Sequence, residues 1–166
     1  MPEEFPIFRE ILIPKGDYLE YRAGIELSTK PGRNISGALI VSQGGFFGVS
    51  RLEVSPSILW KVNKYLTLSQ TFVSNRIQFG QEDFNINLTR TRIGFSLNTS
   101  FSASAVLQYD NDSQDFGMNF RAGYLFKEGT ELFVVYNEIM DRSSQSGLAE
   151  LRDRSLLIKF TYMLRI

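Results

Sequence analysis

The sequence predicts an all-β fold: an antiparallel up-and-down transmembrane β-barrel of about eight to ten strands, or the C-terminal part of a larger barrel. Three observations carry that expectation. Apolar and polar residues alternate with the period of two that a strand imposes, in segment after segment. Aromatic residues gather near the segment ends, with 14 Phe and 7 Tyr in 166 residues, as the girdles of a barrel in lipid require. The links between segments alternate in length: 30–34, 62–64, 98–100 and 127–130 are short, whereas 44–49, 75–84, 110–115 and 138–154 are longer. Tight turns on one rim and long loops on the other is the outer-membrane arrangement.

Nine strands follow in order. Segment 18–29 sets Leu19, Tyr21, Ala23, Ile25 and Leu27 against Glu20, Arg22, Gly24, Glu26 and Ser28. In 35–43, Ile35, Leu39 and Val41 oppose Ser36, Ala38 and Ser42. In 50–61, Leu52, Val54, Pro56, Ile58 and Trp60 oppose Arg51, Glu53, Ser55, Ser57 and Lys61. Pro56 lacks a ladder donor, so a bulge or local distortion is expected there. Segment 65–74 places Leu66, Leu68 and Phe72 against Thr67, Ser69 and Thr71. Segment 85–97 places Ile93, Phe95 and Leu97 against Arg90, Arg92, Gly94 and Ser96. Segment 101–109 carries Phe101, Ala103, Ala105, Leu107 and Tyr109 on its apolar face. Segment 116–126 carries Phe116, Met118, Phe120, Ala122, Tyr124 and Phe126 against Gly117, Asn119, Arg121 and Gly123. The short segment 131–137 contributes Leu132, Val134 and Tyr136. The last, 155–166, is the most regular: Ile158, Phe160, Tyr162, Leu164 and Ile166 alternate with Lys159, Thr161, Met163 and Arg165. At the amino end, 5–13 reads as a tenth strand with Phe5, Ile7, Ile11 and Ile13 on one face, or 1–14 is a leader loop. Even strand counts favour ten.

Length fits one domain over 1–166, and no run of about 18 apolar residues exists to form a membrane helix. Lys and Arg total 18 and Asp and Glu total 18, so no basic field invites nucleic acid. Met1 is followed by Pro-Glu-Glu and no apolar signal segment, so the chain is expected to be a mature form or a fragment. With no His and no Cys, triads, thiolate nucleophiles and transition-metal sites lack their groups. Neither catalytic, cofactor nor metal site is expected. Asp110, Asp112 and Asp115 lack the Gly and the terminal Glu of a calcium-binding hand and read as a solvated acidic loop. Gly44-Gly45-Phe46-Phe47-Gly48 reads as a sharp loop whose two Phe dip into the lipid interface. Segment 138–154, as the longest link, is the candidate for recognition.

The alternation assigns two faces. Glu20, Arg22, Glu26, Arg51, Glu53, Lys61, Arg90, Arg92, Arg121, Lys159 and Arg165 are the expected lumen-facing charges. Tyr21, Trp60, Phe72, Phe95, Phe101, Tyr109, Phe116, Phe120, Tyr124, Phe126, Tyr136, Phe160 and Tyr162 are the expected lipid-facing aromatics. Inward bases exceed inward acids, so an open lumen would favour anions. In a barrel of about eight to ten strands, side chains fill the interior, and the glutamates are expected to neutralise the arginines as a plug.

Several stretches resemble a known family. They are Ile13-Pro14-Lys15-Gly16-Asp17-Tyr18, Gly44-Gly45-Phe46-Phe47-Gly48, Leu107-Gln108-Tyr109-Asp110 and Asn119-Phe120-Arg121. Two more are Glu131-Leu132-Phe133-Val134-Val135-Tyr136-Asn137-Glu138 and Asp153-Arg154-Ser155-Leu156-Leu157-Ile158-Lys159-Phe160-Thr161-Tyr162. Through them 13–166 resembles the C-terminal barrel, of unknown function, of large bacterial outer-membrane proteins whose N-terminal domain is like family-nine carbohydrate-binding modules. The resemblance implies location and fold, with no reaction. That module and the upstream barrel strands have no counterpart in these residues. The expected role is an outer-membrane anchor or scaffold with recognition loops and a plugged lumen. Its partners would be the lipid bilayer and the N-terminal part of a larger barrel. A channel or transport barrel for anions or glycans is the alternative. A soluble barrel binding an apolar ligand, with the faces reversed, is the third reading.

Overall fold

A computed structural model describes residues 5–8, 11–13, 19–46, 48–79, 82–142 and 150–164. All its regular elements are strands. In chain order they are β1 (Phe5–Phe8), β2 (Ile11–Ile13), β3 (Arg22–Ser28), β4 (Ile35–Phe46), β5 (Val49–Lys61) and β6 (Leu66–Phe79). Then come β7 (Glu82–Ser96), β8 (Phe101–Asp110), β9 (Asp115–Lys127), β10 (Thr130–Asp141) and β11 (Glu150–Thr161). Strands β3 to β11 form one nine-stranded sheet in sequence order, each antiparallel to the next. The fold is therefore an all-β antiparallel meander. The sheet is not closed: β3 and β11 are its two edges.

Register carries one face across the whole sheet. A single rung runs Lys61, Thr67, Gly94, Ser104, Arg121, Val135, Leu157 from β5 to β11. Another, of the opposite parity, runs Ile35, Trp60, Leu68, Ile93, Ala105, Phe120, Tyr136, Leu156 from β4 to β11. A one-residue slip anywhere would exchange the faces. None occurs in the strands between β4 and β10 away from the turn at Thr130. Two cavities open on the Lys61–Arg121 side, lined chiefly by that parity, so the sheet curls with the polar face inside and the apolar face convex.

Packing is the unusual part. Among the described residues only Ile77, at 4% exposure, is a buried apolar side chain. It lies on the concave face, between Arg51 on β5 and Phe84 on β7. Val73, Ile77, Phe84, Ile86 and Leu88 share that parity, so the concave face holds an apolar patch near the β6–β7 tip that the expected polar interior did not include. On the convex face Ile58, Trp60, Tyr124, Phe126, Leu156, Ile158 and Phe160 are all exposed.

Several expectations are corrected. The segment 5–13 is not one tenth strand but a small hairpin, β1 with β2, outside the nine-stranded sheet. The links expected to be long at 44–49 and 75–84 are consumed by strand, leaving only 47–48 and 80–81 between elements. Gly44 and Gly45 accordingly lie in β4 and pair with Arg51 and Ser50 rather than forming a loop. Cross-strand pairing outweighs the loop propensity of these Gly, Asn and Gln residues. What remains longer at that end is the strands themselves: β7 extends past its last β8 partner pair, Leu88 with Asp110. At Pro56 the expected disturbance takes the form of a local distortion, not a bulge. The β5–β6 ladder skips Ser55 and Pro56 and resumes in the same register, from Val54 with Ser74 to Ser57 with Thr71. The last strand ends at Thr161, short of the predicted 166, and begins earlier, at Glu150.

Candidate functional site: the concave face

Strand parity places Arg51, Glu53, Lys61, Arg90, Arg92, Arg121 and Lys159 on the concave face. Arg22 and Glu26 share it at the β3 edge, opposite Gly44 and Ile40, and Glu20 precedes that strand. Arg165 lies outside the described residues. The predicted neutralisation is only partly present. Arg51 pairs with Glu53, two residues along the same face, and its Nε donates to Asn75 Oδ1 at 2.8 Å. Arg90 instead donates to the Gln108 side-chain oxygen from Nε at 3.1 Å and from Nη2 at 2.9 Å. Arg121 Nε donates to Asn119 Oδ1 at 3.1 Å. Asn119 bonds Asn137, whose Nδ2 donates to Ser155 Oγ at 3.1 Å. Amides rather than carboxylates satisfy Arg90 and Arg121, because amides lie beside them on the face whereas Glu26 and Glu53 sit toward the β3–β5 edge.

The two concavities differ in charge. One, of about 730 Å³, lies toward the turns at 62–65 and 97–100. It is lined by Lys64, Arg92, Arg121 and Lys159 and by no Asp or Glu. The other, of about 570 Å³, lies at the opposite end; the acids of concave parity that line it are Asp110, Asp115 and Asp153, and no Lys or Arg does. Arg152 reaches Asp115 at 3.0 Å from the rim of this acidic end. In the 111–114 turn Asp110 Oδ1 accepts the Asp112 amide at 2.8 Å. Among the described residues no group of three or more His, Cys, Asp or Glu is placed to hold a metal ion.

The floor of the cationic concavity is small. Gly94 faces Thr67 so closely that a Cβ would lie 2.6 Å from its Oγ1, and a Cβ at Gly123 would lie 2.9 Å from the Phe133 ring. Both positions need glycine because a cross-strand neighbour occupies the space above them.

Parity puts every predicted aromatic that lies in a strand on the convex face, while Tyr21 and Tyr162 flank β3 and β11. Four ring contacts join Phe95, Phe101, Tyr124, Phe126 and Phe160 across β7 to β11, with centroids 6.3, 6.4, 4.7 and 6.3 Å apart. They form a continuous aromatic band at the end of the 97–100 and 128–129 turns, with the Lys127 ammonium 5.3 Å from the Tyr162 ring at its margin. One polar pair of this face bonds across β6 and β7. Thr91 Oγ1 donates to Gln70 Oε1 at 2.6 Å.

Sequence reading missed one convex feature. Glu138 has the parity of the apolar residues of β10 and is 6% exposed. It accepts from the Tyr136 hydroxyl and from Arg154, whose Nη2 lies 2.8 Å away on the paired strand. The i, i+2 spacing of Tyr136 and Glu138 carried the signal, but the predicted strand ended at 137. At the β6–β7 tip, beyond the last β7–β8 pair, the Arg76 guanidinium hydrogen-bonded to Asp83 holds its carboxyl below the usual carboxylate range.

Comparison with known proteins finds no match to this chain among family models, curated proteins or solved structures.

Proposed function

We propose that the chain is a wall of a bacterial outer-membrane β-barrel, its convex face against lipid and its concave face lining a water-filled lumen. The observation that carries this is the missing core: Ile77 is the one buried apolar side chain among the described residues, while large apolar residues cover the convex face. A soluble domain of this length buries a contiguous apolar core and rarely exposes a patch beyond a few hundred Å². In lipid the exposure is the requirement rather than the defect. The band of rings at the turn end sits where a barrel places its interfacial girdle. The family resemblance of 13–166 points the same way.

The topology favours a lumen wall over a plugged nine-stranded barrel. Because β3 and β11 are both odd members of an alternating sheet, they run in the same direction. Joining them directly would make a parallel seam, whereas antiparallel closure takes an odd number of further strands. Leaving the two edges bare in lipid would cost several kcal/mol for each unsatisfied backbone group. The role is then membrane anchorage together with passage or binding on the concave face, and no catalysis is proposed.

Gel mobility of the detergent-refolded chain, unboiled beside boiled, tests the reading. A shift between the two lanes is expected, from the sheet closed edge to edge with another copy. One band in both lanes, with full solubility after detergent removal, would favour a soluble barrel with an apolar ligand.

A further inference from the structure

We propose that the cationic concavity is a binding site for a soluble oligoanion carrying two or more phosphate or carboxylate groups. It rests on the lumen reading only in needing the concave face open to water. Arg92, Arg121 and Lys159 stand on β7, β9 and β11, alternate strands of one face. Two strand spacings and one same-face step put the Cα atoms of Arg92 and Arg121 about 12 Å apart, and those of Arg121 and Lys159 equally so. That is too wide for one small anion to satisfy all three, but within reach of a chain of anionic groups met by long side chains.

Three features separate this from a solvated face. The cations have not been neutralised locally: among the described residues neither Arg92 nor Lys159 makes an ion pair, and the one hydrogen bond of Arg121 goes to the amide of Asn119. The rungs between them hold Ser102 and Ser104, small side chains that leave room above the sheet. No Asp or Glu lines this concavity, whereas Asp110, Asp115 and Asp153 line the other, so no acid of the same hollow offsets these cations. Mutual repulsion of the cations is relieved by an anion and strengthened by its absence. A lipid headgroup is not the ligand the geometry selects, because lipid meets the convex face.

Inorganic tripolyphosphate is the probe, titrated calorimetrically into the folded chain in detergent and again in vesicles. Binding is expected, weakening as salt rises. Arg92→Gln and Arg121→Gln should each lower affinity roughly tenfold or more, the size of a lost charge-assisted contact. Arg76→Gln, at the hairpin tip on the other parity, should leave affinity unchanged. The paired Arg92→Lys, Arg121→Lys variant should bind better than the paired Gln variant, which separates loss of charge from damage to the sheet. Absence of binding by the folded chain, or equal losses in the Arg76→Gln variant, would overturn the site. A chain that enters vesicles yet ignores tripolyphosphate overturns the site and leaves the barrel reading standing. A chain that stays soluble and binds through Arg92 and Arg121 keeps the site and overturns the barrel.

Discussion

Arginine in place of Ala105 is expected to destabilise the chain folded in a bilayer by about 2–4 kcal/mol, the cost of a cation facing lipid near the midplane. Ala105 sits halfway along β8, on the convex face, between Ile93 of β7 and Phe120 of β9. Neither neighbour offers a carboxylate, and the position is too far from either strand end for the guanidinium to snorkel freely to water. The adjacent residue, Ser104, points the other way and lies between Gly94 and Arg121. Ser104→Gln should therefore change stability by less than about 0.5 kcal/mol, as surface replacements usually do. Denaturant unfolding in vesicles measures both. Equal costs at the two positions would mean that the faces do not differ in solvent.

The second large effect is local. Gly44 of β4 pairs with Arg22, and a Cβ added there would meet the Tyr21 carbonyl oxygen at 2.3 Å and Arg22 Cα at 2.6 Å. Both obstacles are backbone, so no rotamer change relieves them. Gly44→Val should push β3 off the sheet, with a cost of about 1–3 kcal/mol for forced overpacking. The bond from the Gly45 amide to the Tyr21 oxygen, 2.9 Å long, would go first. Hydrogen exchange should then show the amides of β3 unprotected while those of β7 to β9 keep their protection. Unchanged protection of β3 would show that the edge is not held by this close approach.

Alternation made most of the sheet legible. Each of the nine predicted segments overlaps a strand, in order, because a period of two survives any twist of the sheet. The predicted ends fared less well. Gly44, Gly45 and the Asn-rich 75–84 stretch look like loop by composition, yet a partner strand in register supplies hydrogen bonds that composition does not encode. The hairpin of β1 and β2 was hidden for the opposite reason: 5–13 is apolar enough for one strand, and only pairing shows the reversal. Charge placement was half legible. Parity put Arg22, Arg51, Arg90, Arg92 and Arg121 on one face, but which amide or carboxylate each would meet depends on shear between strands. The same shear leaves Arg92, Arg121 and Lys159 around one hollow of that face and Asp110, Asp115 and Asp153 around the other. Glu138 went unseen because its parity contradicts its polarity, and its Tyr136 and Arg154 partners appear only once β10 and β11 are aligned.

Trp60 gives the most direct test of the central claim, that the convex face meets lipid. It is the only tryptophan, lies on that face between Ile35 and Leu68, and is 45% exposed. Its fluorescence should be blue-shifted when the chain is folded in vesicles and quenched by brominated acyl chains. Quenching should be strongest with bromines near the interface, since Trp60 is close to the turn end of β5. A chain that folds in buffer without detergent, with Trp60 emission unaltered by brominated vesicles, would contradict the account.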